Sequence, residues 1–157
     1  MIIVRLSGGL GNQLFQYAAG RALSIRNNCR LYLETSFYKR SPNRTLALQH
    51  FRVNGIFVSP WDVYKEMGWM LMYLPDLFRG KNRVFSDAIH QYKEHGQTFE
   101  PALFGVPTPV VLDGYWQTEK YFAEYRDLLI EELTLDVIPA GVAALHQRLG
   151  SENSVAL

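Results

Sequence analysis

A single cysteine, Cys29, stands in a chain of 157 residues, so no internal disulfide can form. That suits a reducing compartment. Long apolar runs are also missing. The longest, Trp69 to Leu74, falls far short of the roughly 20 residues that a transmembrane helix needs. At the start, Met1-Ile2-Ile3-Val4-Arg5-Leu6 is too short for a signal peptide and is broken by Arg5. An excess of one charge is absent as well. The net charge of +1 excludes a broad field that would draw the chain to nucleic acid or to an anionic membrane. There is no internal repeat, no low-complexity segment and no convincing metal cluster. His50, His90, His95 and His146 are scattered, and His90 and His95 lack carboxylate or cysteine partners at ligand spacing.

What remains is the balance of a globular protein, 48% hydrophobic and 20% charged. The length suffices for one domain with a sizeable core. Aromatics make up 13%, and many lie between Trp61 and Phe104. At helical spacing the Met and aromatic stretch from Trp61 to Phe78 reads first as core. It leaves peripheral membrane contact open.

Periodicity predicts an α/β fold. Ile2 to Leu6 reads as a buried strand, and Ser7 to Gly11 as a turn. A helix follows from Asn12 to Ile25, with Phe15, Ala18, Ala19, Ala22 and Ile25 on one face and a stop at Asn27-Asn28. Arg30 to Glu34 is a second strand. Strand, glycine turn, helix and strand in this order make a parallel βαβ unit. Residues 35–45 read as loop, and Leu46 to Phe57 as ambiguous, with Leu48, Phe51 and Val53 able to pack. Ser59-Pro60 signals a helix start, and the helix should run from Trp61 to Leu74 until Pro75. Lys81 to Phe99 looks irregular, with a strand at Arg83 to Phe85. Val110 to Leu112 is a third strand. Thr118 should cap a helix to Leu133 with Tyr121, Phe122, Tyr125, Leu128, Leu129 and Leu133 inward. Pro139 opens a last helix to Leu149, which Gly150 should end. Val155-Ala156-Leu157 then begins another apolar run.

Gly8, Gly9 and Gly11 sit between a strand and a helix. Glycines there permit positive φ and close approach by a ligand. The helix N-terminus beyond them offers unpaired N–H groups and partial positive charge. Asn12 and Gln13 add amides that donate and accept. The segment is either an anion or polar-ligand site or a plain strand-to-helix turn with Asn12 as its cap. The dinucleotide fingerprint G-x-G-x-x-G fits poorly, although Glu34 sits near the place of its ribose-binding acid: counting from Gly9, the third glycine position is Leu14. The Gly-Lys-Ser/Thr ending of a phosphate-binding loop is absent.

A third pattern fits better. The run from Leu6 through Gly8-Gly9-Leu10-Gly11-Asn12-Gln13 to Leu23 closely resembles the opening of the α-1,2-fucosyltransferases, glycosyltransferase family 11. Leu112-Asp113-Gly114-Tyr115-Trp116-Gln117-Thr118-Glu119-Lys120-Tyr121-Phe122 resembles a second hallmark of that family, in the expected order. The resemblance covers the whole chain.

That resemblance implies inverting, metal-independent transfer of L-fucose from GDP-fucose to a hydroxyl of a galactose-terminated glycan, with no cofactor. It implies a Rossmann-like N-terminal domain of a GT-B-type enzyme: residues 1–150 as the acceptor-side domain, and 151–157 as the start of a junction to a missing donor-binding domain. The family's His-x-Arg-Arg-x-Asp motif, whose arginines hold the diphosphate, has no counterpart here, and no Arg-Arg pair occurs. By the same resemblance Asn12 is the catalytic hydrogen-bond donor. Gly8, Gly9, Gly11 and Gln13 stand beside it as donor or substrate contacts, with Tyr115, Trp116 and Gln117 following a strand end. An aromatic and an amide suit a sugar, though Tyr115 and Trp116 could equally be core with Thr118 only a cap. Glu119 and Asp113 are thin candidates for a general base, and Glu119 is favoured in a first helical turn by the dipole alone. The expected location is cytoplasmic, at most peripheral at the inner face of the membrane. The alternative function is a non-catalytic carbohydrate-binding or regulatory fragment of the same fold; a nucleotide-dependent oxidoreductase is remote.

Overall fold

The computed structural model of the chain describes residues 1–59, 62, 65, 90–96, 98–137 and 140–151. Its centre is a five-stranded sheet, every pairing parallel: β1 (Ile2–Arg5), β2 (Leu31–Glu34), β3 (Ile56–Val58), β4 (His90–Lys93) and β5 (Val110–Asp113). The order across the sheet is β3-β2-β1-β5-β4. β1 is therefore central, with β2 on one side and β5 on the other. Its Ile2, Ile3 and Val4 are β-branched, apolar and buried, as a strand covered on both faces requires. This is the α/β arrangement that the strand and helix pattern predicted, and it is Rossmann-like as the resemblance implied. In the common doubly wound order the fourth strand neighbours the first. Here β5 takes that place and β4 lies at the edge.

The first crossover is helix α1 (Leu10–Arg26), which begins two residues earlier than predicted. Its Tyr17, Ala18, Ala19 and Leu23 pack with Ile2, Val4 and Leu6 of the β1 segment, Leu31 and Leu33 of β2, and Val110 and Leu112 of β5. Phe15 and Ile25, expected inward, are only partly buried. Gly20 brings the helix down on the sheet: a Cβ there would collide with Val4 Cγ2. The close approach that a dinucleotide fold assigns to a glycine near the turn is thus made two helical turns later. Asn28, at φ +45°, turns the chain out of α1. On the sheet's other face Ile3, Tyr32, Val58 and Val111 form a second buried cluster.

Several expectations need correction. Residues 35–45 are not all loop, since α2 (Ser36–Arg40) forms there. The ambiguous Leu46 to Phe57 resolves into a 3₁₀ turn (Leu48–His50), which buries Leu48, and the edge strand β3. β4 falls within the stretch read as irregular. The single helix predicted from Thr118 to Leu133 is broken into two 3₁₀ turns (Glu119–Tyr121 and Ala123–Tyr125) and a short helix α3 (Arg126–Glu132). The break is at Phe122, whose φ of −143° is not helical. Of its predicted inward residues, Leu128 is exposed. The last helix, α4 (Ala140–Ser151), continues through Gly150. The Ser59 N–H and Oγ both donate to Asp62 Oδ2, at 2.8 and 2.7 Å, while the expected helix start at Pro60 and Trp61 lies outside the described residues. The remainder of the Trp61 to Leu74 helix, the strand at Arg83 to Phe85, Pro139 and the apolar run at 155–157 lie outside the described residues.

Candidate active site

In parallel sheets ligands gather beyond the carboxyl ends of the strands, where the chain leaves the central strand in opposite directions. Here that place is above β1 and β5. Both segments singled out in the sequence arrive there, the glycine turn from β1 and the Gly114 to Thr118 loop from β5.

The glycine turn is built as its residues require. Gly8 has φ +77°, and a Cβ on it would run into Asn12 Nδ2. Gly9, in extended conformation, is the N-cap of α1, with no side-chain cap and no acidic residue in the first turn. Asn12 is therefore not the cap. It stands in the first turn of the helix, half-buried, and its Oδ1 accepts a hydrogen bond from Gln117 Nε2 at 2.8 Å. The uncapped N–H groups of that turn and its dipole favour an anion. Arg44 adds a cation, its Nη1 3.6 Å from where a Cβ on Gly9 would stand.

Gln13, expected among the donor or substrate contacts, has its amide engaged within the chain. It is fully buried. Its Nε2 donates to the Thr45 carbonyl at 2.9 Å, and its Oε1 accepts from the Leu48 N–H at 2.9 Å. Gln13 lies one turn before Tyr17 on a buried face of α1 and pins the 45–48 segment to the helix. Tyr38 supports the same turn, donating to the Gly8 carbonyl at 3.3 Å. Its hydroxyl pKa is pushed up to about 12, first by burial and second by the neighbouring Tyr115.

Trp116, expected either as a sugar contact or as core, has its ring in the core. It is fully buried, with φ +57°. Its ring packs edge-on to Tyr121, centroids 5.6 Å apart, and tilted on Tyr92 at 6.0 Å. Burying that ring anchors the loop and turns its neighbours outward. Tyr115 is 45% exposed, and Gln117 is exposed beside it. Thr118 caps the next turn through Lys120 N–H.

Three further residues shape the site and carried no signal in the sequence. Gln16, fully buried, accepts from the Ser7 N–H at 3.0 Å and donates to Ser7 Oγ at 3.1 Å and to the Gly114 carbonyl at 2.9 Å. It ties the two loops together, yet on a helix it looked like any polar residue. Glu94, just past β4, accepts from the Tyr115 N–H at 2.7 Å and from the Trp116 N–H at 3.1 Å. Arg44 sat within an unpatterned polar stretch.

A polar cavity of about 360 Å³ opens next to this junction. Ser7, Lys93, Glu94, His95, Asp113 and Tyr115 are among the residues around it, with Gln117 at the side that meets Asn12. Asp113 pairs with Arg5 at 3.1 Å. His95 Nδ1 lies 3.3 Å from Glu100 Oε2. Glu100 also accepts the His95 N–H, chiefly for which reason its carboxyl titrates below the usual range. Glu119 is not part of this cavity. It borders an apolar groove of about 490 Å³ between α1 and α3, with Phe15, Phe122, Leu129 and Leu133. Glu34 caps α2 through the Ser36 N–H at 2.6 Å, so its carboxylate is spent locally. Among the described residues no three His, Cys, Asp or Glu side chains converge as metal ligands, and no helix is long and apolar enough to cross a membrane.

The chain is 30% identical over 162 aligned positions to an alpha-1,2-colitosyltransferase of Escherichia coli, a match covering 100% of this chain and 53% of that protein. The chain thus spans about half the length of the curated relative that it matches. No protein-family profile matches it, and no solved structure does.

Proposed function

We propose that this chain forms one wall of a glycosyltransferase cleft that moves L-fucose from GDP-fucose to a galactoside hydroxyl, in α-1,2 linkage and with inversion, without calling on a metal. The observation that carries this reading is the hydrogen bond between Gln117 and Asn12. It joins the two segments that resemble family 11 fucosyltransferases at the carboxyl ends of β1 and β5. The likeness to a transferase of a related linkage along the whole chain supports it.

In such a transfer the bond from the sugar C1 to the diphosphate breaks, and charge grows on the leaving oxygens. Donors already aimed at that charge lower the barrier. Asn12 Nδ2, the first-turn N–H groups of α1 and Arg44 are the candidates for that role. The stronger grip on the diphosphate, an Arg-Arg pair in related fucosyltransferases, would come from outside these residues. Such a wall suits a cytoplasmic enzyme of surface-glycan synthesis, in peripheral contact with the inner face of the membrane.

Colitose is the second reading, favoured by the relative's name. It is the 3-deoxy form of L-fucose, so one hydroxyl separates the two donors. A site that hydrogen-bonds that hydroxyl discriminates strongly against its absence. Incubating the protein with GDP-fucose or GDP-colitose and a galactoside, then weighing the product, decides between them. A fucosylated galactoside supports the main reading and a colitosylated one the second. A galactoside that binds without product from either donor indicates the non-catalytic fragment and overturns both.

A further inference from the structure

The loop bearing Tyr115 and Gln117 is held in an unusual way. Trp116 adopts a left-handed conformation, φ +57°, at the cost that a bulky residue incurs there. Just ahead of it, two successive N–H groups, of Tyr115 and Trp116, point toward one carboxylate. Glu94 Oε2 accepts the first at 2.7 Å, and both its oxygens lie within 3.2 Å of the second. Converging backbone N–H groups of this kind form an anion receptor, and here the chain's own carboxylate fills it. Gly114 makes room: a Cβ there would lie 2.8 Å from Glu94 Oε2. Among the described residues no Lys, Arg or His nitrogen comes within 4.0 Å of the carboxylate, so the two N–H groups are what hold it.

The same carboxylate helps to wall the polar cavity, together with Asp113, Lys93 and His95. At about 360 Å³ the cavity is at the small end of ligand sites. The two carboxylates share the wall with Lys93 and His95, and Asp113 is paired with Arg5, so the cavity offers a balanced set of acceptors and donors that suits a neutral polyol. The half-exposed ring of Tyr115 offers a face to sugar C–H groups, and the Gln117 amide reaches from the cavity to Asn12.

Resting on the transferase reading above, we propose that this cavity receives the terminal galactose of the acceptor, and that Glu94 is the positioning residue that sets Tyr115 and Gln117 in its wall. Glu94 acts through the backbone of the loop. It neither binds the donor nor takes the proton.

The test is a pair of NMR titrations of the 15N-labelled chain, one with methyl β-galactopyranoside and one with GDP-fucose. The galactoside should move the amide resonances of Tyr115, Gln117 and Gly96. Glu94→Gln replaces one acceptor by an NH₂ that faces an N–H, and should weaken the galactoside by about tenfold or more while GDP-fucose stays within about twofold. Galactoside shifts that miss these residues overturn the proposal. So does a folded Glu94→Gln chain that binds galactoside as the parent does, or one that loses both ligands equally. If Glu94→Gln does not fold, Tyr115→Ala at the half-exposed position replaces it, with the same loss for the galactoside alone; an unchanged galactoside affinity overturns the proposal. GDP-fucose that leaves Gly9 to Asn12 unmoved counts against the donor side of the function, and not against the acceptor cavity.

Discussion

Asn12 and Gln117 are 105 positions apart in the chain, and the Gln117 amide donates to the Asn12 carbonyl oxygen at 2.8 Å. This bond fixes which end of the Asn12 amide is free. With Oδ1 engaged, Nδ2 is left as the donor, over the α-carbon of Gly8. Asn12→Ala should lower turnover by about tenfold or more, the usual effect of losing one transition-state hydrogen bond. Gln117→Ala should cost less. The double variant should be less impaired than the two single losses combined, because part of what Gln117 does runs through Asn12. Steady-state rates of the four forms check this, and strict additivity would refute the coupling.

Gln16 and Gln13 predict a loss of a different kind, in stability. Gln16 makes three hydrogen bonds and Gln13 at least two, all with little access to water. Their partners are mostly backbone groups that find no substitute when the amide is removed. Gln16→Leu or Gln13→Leu should each destabilise the chain by about 1–3 kcal/mol for each partner left buried and unpaired. Urea unfolding measures this as a lower midpoint with an unchanged slope.

These two glutamines also show where the sequence stops being readable. β1, α1, β2 and β5 were legible because apolar periodicity and punctuating glycines agree. The direction of Gln13 was not: besides the apolar face through Ala18 and Ala22, α1 buries a second face through Gln13, Gln16, Tyr17 and Gly20, whose polar residues hid it. β4 reads His-Gln-Tyr-Lys, mostly exposed at the sheet edge. An edge strand needs little apolar pattern, so none announced it. The break at Phe122 was hidden by inward residues at helical spacing that two 3₁₀ turns also satisfy. Trp116 was open between core and sugar platform, and only tertiary packing against Tyr92 and Tyr121 decides it. Tyr115 and Gln117 came out on the surface of the site, as the strand-end position suggested.

Two glycines of α1 should respond oppositely to alanine. Gly20→Ala drives a methyl into Val4 Cγ2, and the strand cannot retreat without disturbing β2 and β5. A loss of about 1–3 kcal/mol is expected from such overpacking. Gly11 has open space around its α-carbon. Gly11→Ala should gain up to about 1 kcal/mol from helix propensity. Thermal melts of the two variants should shift in opposite directions; a stable Gly20→Ala chain would mean that α1 does not sit as close to β1 as described.

Alkaline pH should loosen the fold through two tyrosines, Tyr17 fully buried and Tyr38 half-buried. Tyr17 donates to Glu132 at 2.6 Å and accepts the Asn54 N–H at 2.8 Å, while Arg21 holds the same carboxylate at 2.8 Å. Burial first, and the Glu132 hydrogen bond second, raise the Tyr17 hydroxyl well above its ordinary value. Tyr38 is raised to about 12, again first by burial. Both groups are protonated in the folded chain at pH values where the unfolded chain already loses its protons. The unfolded state then binds fewer protons, so stability falls as pH rises. The contribution is complete below about pH 10, where a free tyrosine titrates, and the Tyr38 share is gone once pH passes about 12. Urea midpoints measured at rising pH should therefore decline above about pH 10. Tyr38→Phe should flatten part of that decline, and Tyr17→Phe should flatten more at the cost of a lower midpoint at neutral pH. A midpoint independent of alkaline pH in the parent chain would contradict the burial of both hydroxyls.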